Sequence, residues 1–355
     1  MNATKIKTGI ASFGISGQVF HAPFVSTHPQ FELTAIVERT KNLSKERYPE
    51  AHIARSLDEL LTTGEIELVI INTPDATHYE YTKKALVAGK NVIVEKPFTK
   101  TTAEGRVLIA LARAKGLMLG VYQNRRWDAD FLTVKEIIDS RKIGRVVEFE
   151  STFARYRNHI QAGNWKEQDG GMTCNLGSHL IDQCICLFGM PEALFADIAT
   201  LRDGGIVDDY FIIHLLRCAK APEVRITLKA GYLMREPEPR FVIHGTEGSY
   251  VKHGVDKQEE LLKRGAMPVS PDWGVETEDE WGILNTAAFR GRYPSRRGNY
   301  ADFYESVYQH LRNGIPLPTD AVSVLPVIKL IEAAKESSRN RKIVTFNSKK
   351  WRVEC

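Results

Sequence analysis

The stretches ELVIIN (67–72) and NVIVE (91–95) are near-continuous apolar runs, each followed by a helix-forming stretch that ends on glycine. A strand exposed on one face alternates apolar and polar residues. An unbroken run needs cover on both faces, which a parallel sheet between two helix layers supplies. KIKTGIASF, FELTAIVE and LMLGVY predict three further strands of the same kind. Between them, SLDELLTTG predicts a helix with Ser56 as its N-cap and Gly64 as its stop. ATHYEYTKKALVAG is opened by Asp75 and closed by Gly89. TTAEGRVLIALARAKG carries Thr101 and Glu104 in capping-box spacing and ends at Gly116. GQVFHAPFVSTH is a shorter helical stretch with Pro23 near its start. The rhythm predicts a doubly wound α/β domain of the Rossmann type.

After about residue 125 the rhythm changes. A helix, DFLTVKEIIDSRK, leads into the long alternating strand GRVVEFESTFARYR. EALFADIATL, DYFIIHLLRC, EVRITLKAGYL, RFVIHG and GSYVKHG follow as strands mostly without helices between them. That pattern predicts a large, mostly antiparallel sheet with one open face. The expected fold is α/β: a Rossmann domain over 1–124, then an α/β domain over 125–355 that binds substrate and oligomerises. ADFYESVYQHLRNG and DAVSVLPVIKLIEAAKESSRN predict two late helices, the second (around 319–338) expected to pack back on the Rossmann domain, with Pro326 inside it.

A chain of 355 residues exceeds what one core usually holds, which agrees with two domains. The net charge of +4 is dispersed among acidic residues, so no nucleic-acid stripe is present. No run of 18 apolar residues predicts a membrane span. The charged start MNATKIKTGI lacks the apolar core of a secretory signal. Five cysteines without a second Cys/His pair at metal spacing predict no zinc and free thiols in a reducing cytoplasm.

Two constellations carry chemistry. The first is Ser12-Phe13-Gly14-Ile15-Ser16-Gly17 after the first strand. It is a G-x-G-x-x-G pattern with serine in the first place. Gly14 would let backbone approach a pyrophosphate, and Gly17 would let the helix pack close to the sheet. Glu38, 21 residues past Gly17, stands where an acidic side chain holds an adenosine ribose. Arg39 follows it and could instead pair with a 2′-phosphate. Glu38 thus argues for NAD and Arg39 for NADP. Glu95-Lys96-Pro97 ends one parallel strand and Asn72-Thr73-Pro74, with His78 beyond, ends its neighbour. Ligands of open α/β sheets bind outside those strand ends, so these residues are cofactor-binding candidates. A strand-end ammonium paired with a carboxylate is the plainer alternative for Lys96.

The second constellation is Asn175, His179 and Asp182 in GGMTCNLGSHLIDQCICLFG. Spacings of four and three place all three on one helical face. A buried histidine satisfied by a carboxylate is the structural alternative. Tyr156, Asn158, His159 and Trp165 precede the helix and are substrate-side candidates. Trp165 either floors a ligand or packs in a core or dimer contact.

The EKPF turn, after a fingerprint continuing SGQVFHAPF and before VYQNRRW, resembles the glucose-fructose oxidoreductase / inositol dehydrogenase / rhizopine-catabolism (Gfo/Idh/MocA) family. The resemblance covers essentially the whole chain, and the wording is similar to its scyllo-inositol dehydrogenase-like branch. It implies an NAD or NADP oxidoreductase acting on a cyclic polyol or sugar. It implies that Lys96 lies beside nicotinamide and substrate hydroxyl, that Pro97 follows a cis peptide, and that His179 is the general acid/base. Asn175 departs from the family pattern G-G-x-x-x-D-x-G-x-H-x-x-D, so a relay through an acid at that position is not expected. The resemblance also implies a homodimer or homotetramer built on the open sheet. Two rival readings stay open: a non-catalytic, dinucleotide-binding regulator of the same fold, and a reductase of a non-sugar carbonyl.

Overall fold

The computed structural model describes residues 4–63, 65–161, 163 and 165–346. Gly64, the expected helix stop, lies outside them. The chain divides into two compact units. One comprises Met1–Trp127, Lys257–Trp273 and Asn299–Leu325, and the other Asp128–Asp256, Gly274–Gly298 and Pro326–Cys355.

In the first unit the strands are β1 (Ile6–Ile10), β2 (Phe31–Val37), β3 (His52–Ala54), β4 (Leu68–Ile71), β5 (Asn91–Val94) and β6 (Leu119–Val121). They form one parallel sheet in the order β3-β2-β1-β4-β5-β6. All of β4 is buried, as an unbroken apolar run between two helix layers requires. The helices are α1 (Ala22–Thr27), α2 (Leu57–Thr62), α3 (His78–Val87) and α4 (Thr102–Lys115). Ser56 caps α2 by accepting from Glu59 N, and Thr101 and Glu104 form a complete capping box on α4. Gly116 ends α4 in the left-handed conformation at φ 63°.

The second unit begins with α5 (Ala129–Asp139) and β7 (Val146–Ala154). Next come α6 (Ser178–Phe188), β8 (Pro191–Ala199), β9 (Tyr210–Cys218), β10 (Arg225–Gly231), β11 (Phe241–Gly245) and β12 (Gly248–Lys252). The chain then supplies α7 (Gln258–Lys263) to the first unit, and β13 (Gly282–Thr286) and β14 (Arg290–Tyr293) to the second. After α8 (Ala301–Asn313) of the first unit, α9 (Ala321–Asn340) runs with Pro326 inside it, and β15 (Val344–Thr345) follows. The nine strands order as β14-β13-β12-β11-β7-β10-β9-β8-β15. Among the described residues only the β7–β10 pair of this sheet is parallel. On β9, Phe211, Ile213 and Leu215 are buried while Ile212, His214 and Leu216 are half-buried. One face is therefore covered and the other more open, as the alternating sequence requires.

Aromatic side chains fill the first unit's core around Phe24, which stacks on Tyr304 of α8 at 5.6 Å. Tyr122 meets Phe303 edge-on at 4.8 Å. In the second unit a buried arginine organises the core. Arg240 lies 4.1 Å from both the Phe153 and Phe241 rings, donates to Gln183 of α6 at 2.7 Å and stands 3.4 Å from Asp130 of α5. The two helices are thus pinned to the sheet through one guanidinium.

Candidate active site

The fingerprint sits where the first strand ends. Gly17 begins a π turn, Gly17–His21, that runs into α1. A Cβ on Gly17 would lie 2.2 Å from the Ser12 carbonyl oxygen and 3.0 Å from Asn72 Nδ2. Only glycine permits that approach. A Cβ on Gly14 would meet only the Ser12 hydroxyl, at 3.6 Å, so the space above that backbone is free. Ile15, between them, is 73% exposed. Asn72 donates to Ser12 O at 2.8 Å, while its buried Oδ1 has no hydrogen-bond partner. A backbone cradle that a side chain would fill, beside an unsatisfied buried acceptor, fits a dinucleotide.

Glu95 ties this cradle to the strand end. Its Oε1 accepts from Ser16 Oγ at 2.6 Å and lies 3.2 Å from His21 Nε2. Its Oε2 accepts from Lys96 N at 3.1 Å. Burial pushes the carboxyl upward. The hydrogen bonds and charge of His21, then Ser16 and Lys96, outweigh it and hold the group at about 2. On the far side His21 Nδ1 is 2.8 Å from the Tyr304 hydroxyl, 283 residues away in sequence. The Lys96–Pro97 peptide is cis, as the resemblance implied. His78 is buried beneath the edge, with Nδ1 2.8 Å from Pro97 O and Nε2 2.9 Å from Thr73 O. It reaches the edge by fixing the turns of Thr73 and Pro97 rather than through its own surface. Pro74 is exposed and Thr73 half-buried, with the Thr73 hydroxyl 2.6 Å from that of Thr77.

Glu38 is placed differently from a free ribose ligand. Its oxygens accept from Leu43 N at 2.9 Å, Ser44 N at 2.8 Å and Ser44 Oγ at 2.5 Å. Burial opposes its charge, but the Ser44 and Leu43 bonds hold its pKa below the usual value. Arg39 beside it is exposed.

In the second unit the expected single helix is two segments. Thr173–Gly177 is a π turn and Ser178–Phe188 is the α-helix. Asn175 is half-buried on the wide turn. His179 and Asp182 are 4% and 2% exposed on α6. Isolated π turns occur often at functional sites. Both glycines before the turn have positive φ, and a Cβ on Gly171 would lie 2.1 Å from Asp208 Oδ1. Asp208 occupies that space because its Oδ2 accepts from Thr173 N at 2.6 Å and Thr173 Oγ1 at 2.7 Å. Lys166 Nζ is 3.4 Å from Asn175 Oδ1.

The preceding loop carries the other candidates. Tyr156 bridges to Leu233 and lies under Arg235 at 5.0 Å, and Asn158 and His159 are exposed. Trp165 is 37% exposed, and the Lys166 ammonium lies 5.6 Å from its ring. The loop's anchor is Arg202, which sequence reasoning missed. Its Nη2 donates to Glu167 at 2.6 Å and its Nε to Asp209 at 2.8 Å. Burial works against the guanidinium's charge, and the two carboxylates outweigh it, so its pKa is raised. Ser16 and His21 lie 79 and 74 residues from Glu95, and His159 and Glu167 lie 43 and 35 from Arg202, so no local pattern announces these contacts.

A glycine cradle at the ends of parallel strands is what a dinucleotide-binding domain presents. The NAD-binding Rossmann pattern of the Gfo/Idh/MocA oxidoreductases matches residues 6–123, and their C-terminal alpha/beta domain matches 135–346. The chain belongs to this NAD(P)-binding oxidoreductase family. It is 36% identical to the scyllo-inositol 2-dehydrogenase (NADP(+)) IolW of Bacillus subtilis, over 96% of this chain and 95% of that one. It is also 36% identical to the uncharacterized oxidoreductase YdgJ of Escherichia coli, over 95% and 97%. A crystal structure of a Bacteroides fragilis protein, 62% identical, covers 96% of this chain and 100% of its own with a TM-score of 0.91. Among the described residues no helix is long and apolar enough to cross a membrane, and no His/Cys/Asp/Glu group could hold a metal ion.

Proposed function

We propose that the protein interconverts a secondary alcohol and a ketone on a cyclic polyol or sugar, with NADP preferred over NAD. The observation that carries the reaction is His179, 4% exposed on a helix whose preceding wide turn presents Asn175. A bound nicotinamide supplies hydride exchange. The chain's residues supply the rest. In the oxidative direction neutral His179 takes the hydroxyl proton, and in reduction its protonated form returns it. Imidazole is the side chain suited to taking and returning a proton in the neutral range, so one residue serves both directions. Lys96 donates a hydrogen bond to the reacting oxygen and stabilises its alkoxide character. Asn175, with Tyr156, Asn158 and Trp165, orients ring hydroxyls. Asn175 cannot titrate, so the proton chemistry falls to His179, with Asp182 orienting it. The similarity to a scyllo-inositol dehydrogenase supports the substrate class.

Coenzyme preference follows from Glu38. Its carboxylate is committed to Leu43 and Ser44, while Arg39 is exposed beside it and available to a 2′-phosphate. That relative's printed coenzyme, NADP(+), agrees. The more open sheet face supports a homo-oligomer, and the buried free thiols of Cys184 and Cys218 support a reducing, cytoplasmic setting.

The test is absorbance at the reduced-nicotinamide band, with NADP or NAD and a panel of inositols, aldoses and sugar acids. Turnover of a cyclic polyol or sugar, faster with NADP and lowered by orders of magnitude in His179→Ala, is the expected result. Arg39→Ala should narrow the NADP preference. Tight coenzyme binding with no turnover in either direction would favour the regulatory reading instead.

A further inference from the structure

The loop between β8 and β9 uses two adjacent carboxylates for two different tasks. Asp208 caps the wide turn that carries Asn175, through Thr173 N and Oγ1, and its carbonyl accepts from Met172 N at 2.8 Å. Asp209 faces the other way and is 1% exposed. Its Oδ1 accepts from Leu201 N at 2.7 Å, and its Oδ2 from Arg202 Nε at 2.8 Å. Arg202, 5% exposed, extends its fork to the segment before the helix. Nη1 donates to His159 O at 3.0 Å and Glu167 Oε1 at 3.3 Å, and Nη2 donates to Glu167 Oε2 at 2.6 Å. The guanidinium also lies 4.5 Å from the Tyr232 ring on the chain that continues β10. Arg157 adds a weaker contact to Glu167 at 3.6 Å.

We propose that Arg202 is a positioning residue for substrate. It clamps both ends of the 159–167 segment, and the Asp208-Asp209 pair couples that segment to the turn bearing Asn175. Several facts carry this. His159 and Glu167 bracket Trp165 and Lys166, and Lys166 is the side chain 3.4 Å from Asn175 Oδ1. Among the described residues of the segment, the side chains of His159, Trp165 and Lys166 are exposed, so packing contributes little to where those three stand. A planar fork can hold a carboxylate and a carbonyl together, whereas an ammonium cannot reproduce the geometry. The clamp therefore fixes where Trp165 and Lys166 stand relative to Asn175. It should set polyol affinity and leave coenzyme affinity alone.

The kinetic part rests on the proposed dehydrogenase reading, so the test has two arms. Hydrogen exchange of the intact protein reads the clamp without substrate. In Arg202→Met, peptides spanning 158–168 should exchange roughly ten- to hundredfold faster, the span expected for losing charge-assisted bonds. Peptides of β4 and β5 should be unchanged. Glu167→Gln, which keeps shape and an acceptor, should give a smaller increase confined to the same peptides, and carries the test if Arg202→Met does not fold. In the kinetic arm both variants should raise KM for the polyol while leaving KM for coenzyme unchanged, with Arg202→Lys recovering only part of the loss. Unchanged exchange over 158–168 in the folded variants would overturn the clamp. Faster exchange with unchanged polyol KM would overturn its role in substrate positioning. If the unmodified protein turns over no polyol or sugar, the proposed function fails while the exchange arm still decides the clamp.

Discussion

The two units organise their candidate site edges around buried ions of opposite sign. In the first unit one carboxylate, Glu95, gathers Ser16 of the fingerprint, His21 of the following turn and the Lys96 backbone. In the second one guanidinium, Arg202, gathers Glu167, Asp209 and the His159 carbonyl. A carboxylate only accepts and a guanidinium only donates. The first hub therefore collects donors, and the second collects acceptors. The comparison teaches that these edges are fixed by single ions with several partners. Each should fail in its own function without disturbing the other's.

The largest separation should come from His179. His179→Ala is expected to lower turnover by about 10²–10⁴-fold, the usual contribution of a general acid/base. NADP dissociation, measured by fluorescence titration, should be unchanged, and a matching loss of coenzyme affinity would break the division of labour. Glu95→Gln should weaken coenzyme binding and lower stability by roughly 3 kcal/mol, the value of holding a carboxyl near 2 rather than 4.5. The folded pKa is depressed, so Glu95's contribution is complete above about pH 4.5 and lost as pH falls toward about 2. Urea midpoints for the wild type and Glu95→Gln across pH 2 to 6 should therefore converge at the acid end. Parallel curves would show that Glu95 is not the hub.

Gly17→Ala should follow in size. Its Cβ meets the Ser12 carbonyl at 2.2 Å, so backbone must shift at a cost of about 1–3 kcal/mol, and coenzyme affinity should fall with stability. Thr101→Ala is the smallest change. It removes one capping bond of α4, about 1 kcal/mol in thermal or urea unfolding, and should leave both hubs and all kinetic constants intact.

What could be seen in the sequence was local. Thr101 and Glu104 lie three residues apart, and the run LVII states its own burial. The EKP turn was legible for the same reason, whereas Asn175 lies on a wide turn apart from the α-helix of His179 and Asp182, where the spacing predicts a single helix. The three-residue β3 and the strands β13, β14 and β15 were not legible: β3 and β15 are very short and pair with strands earlier in the chain, while β13 and β14 form a local hairpin whose side chains are mostly half-buried or exposed. The parallel pairing of β7 with β10 joins segments tens of residues apart. Glu38 shows a subtler limit. Its position matched a ribose ligand, yet Ser44 supplies both a hydroxyl and an amide that occupy the carboxylate. Arg202 gave no signal at all, since nothing in LRDGG distinguishes a buried arginine from a solvated one.

The wide turns at Gly17–His21 and Thr173–Gly177 can also be considered as matters of length. A π turn holds one residue more than the α turn that would replace it. Removing a single residue from 173–177 would let the helix relax to regular winding. His179 and Asp182 would keep their seats, and so would the segment upstream, because the wide turn is what absorbs the extra residue; only the side chains within the turn, Asn175 among them, would change place. On the proposed reading, substrate contact and proton transfer would be separable by one codon, a short route to a new substrate with the acid/base intact.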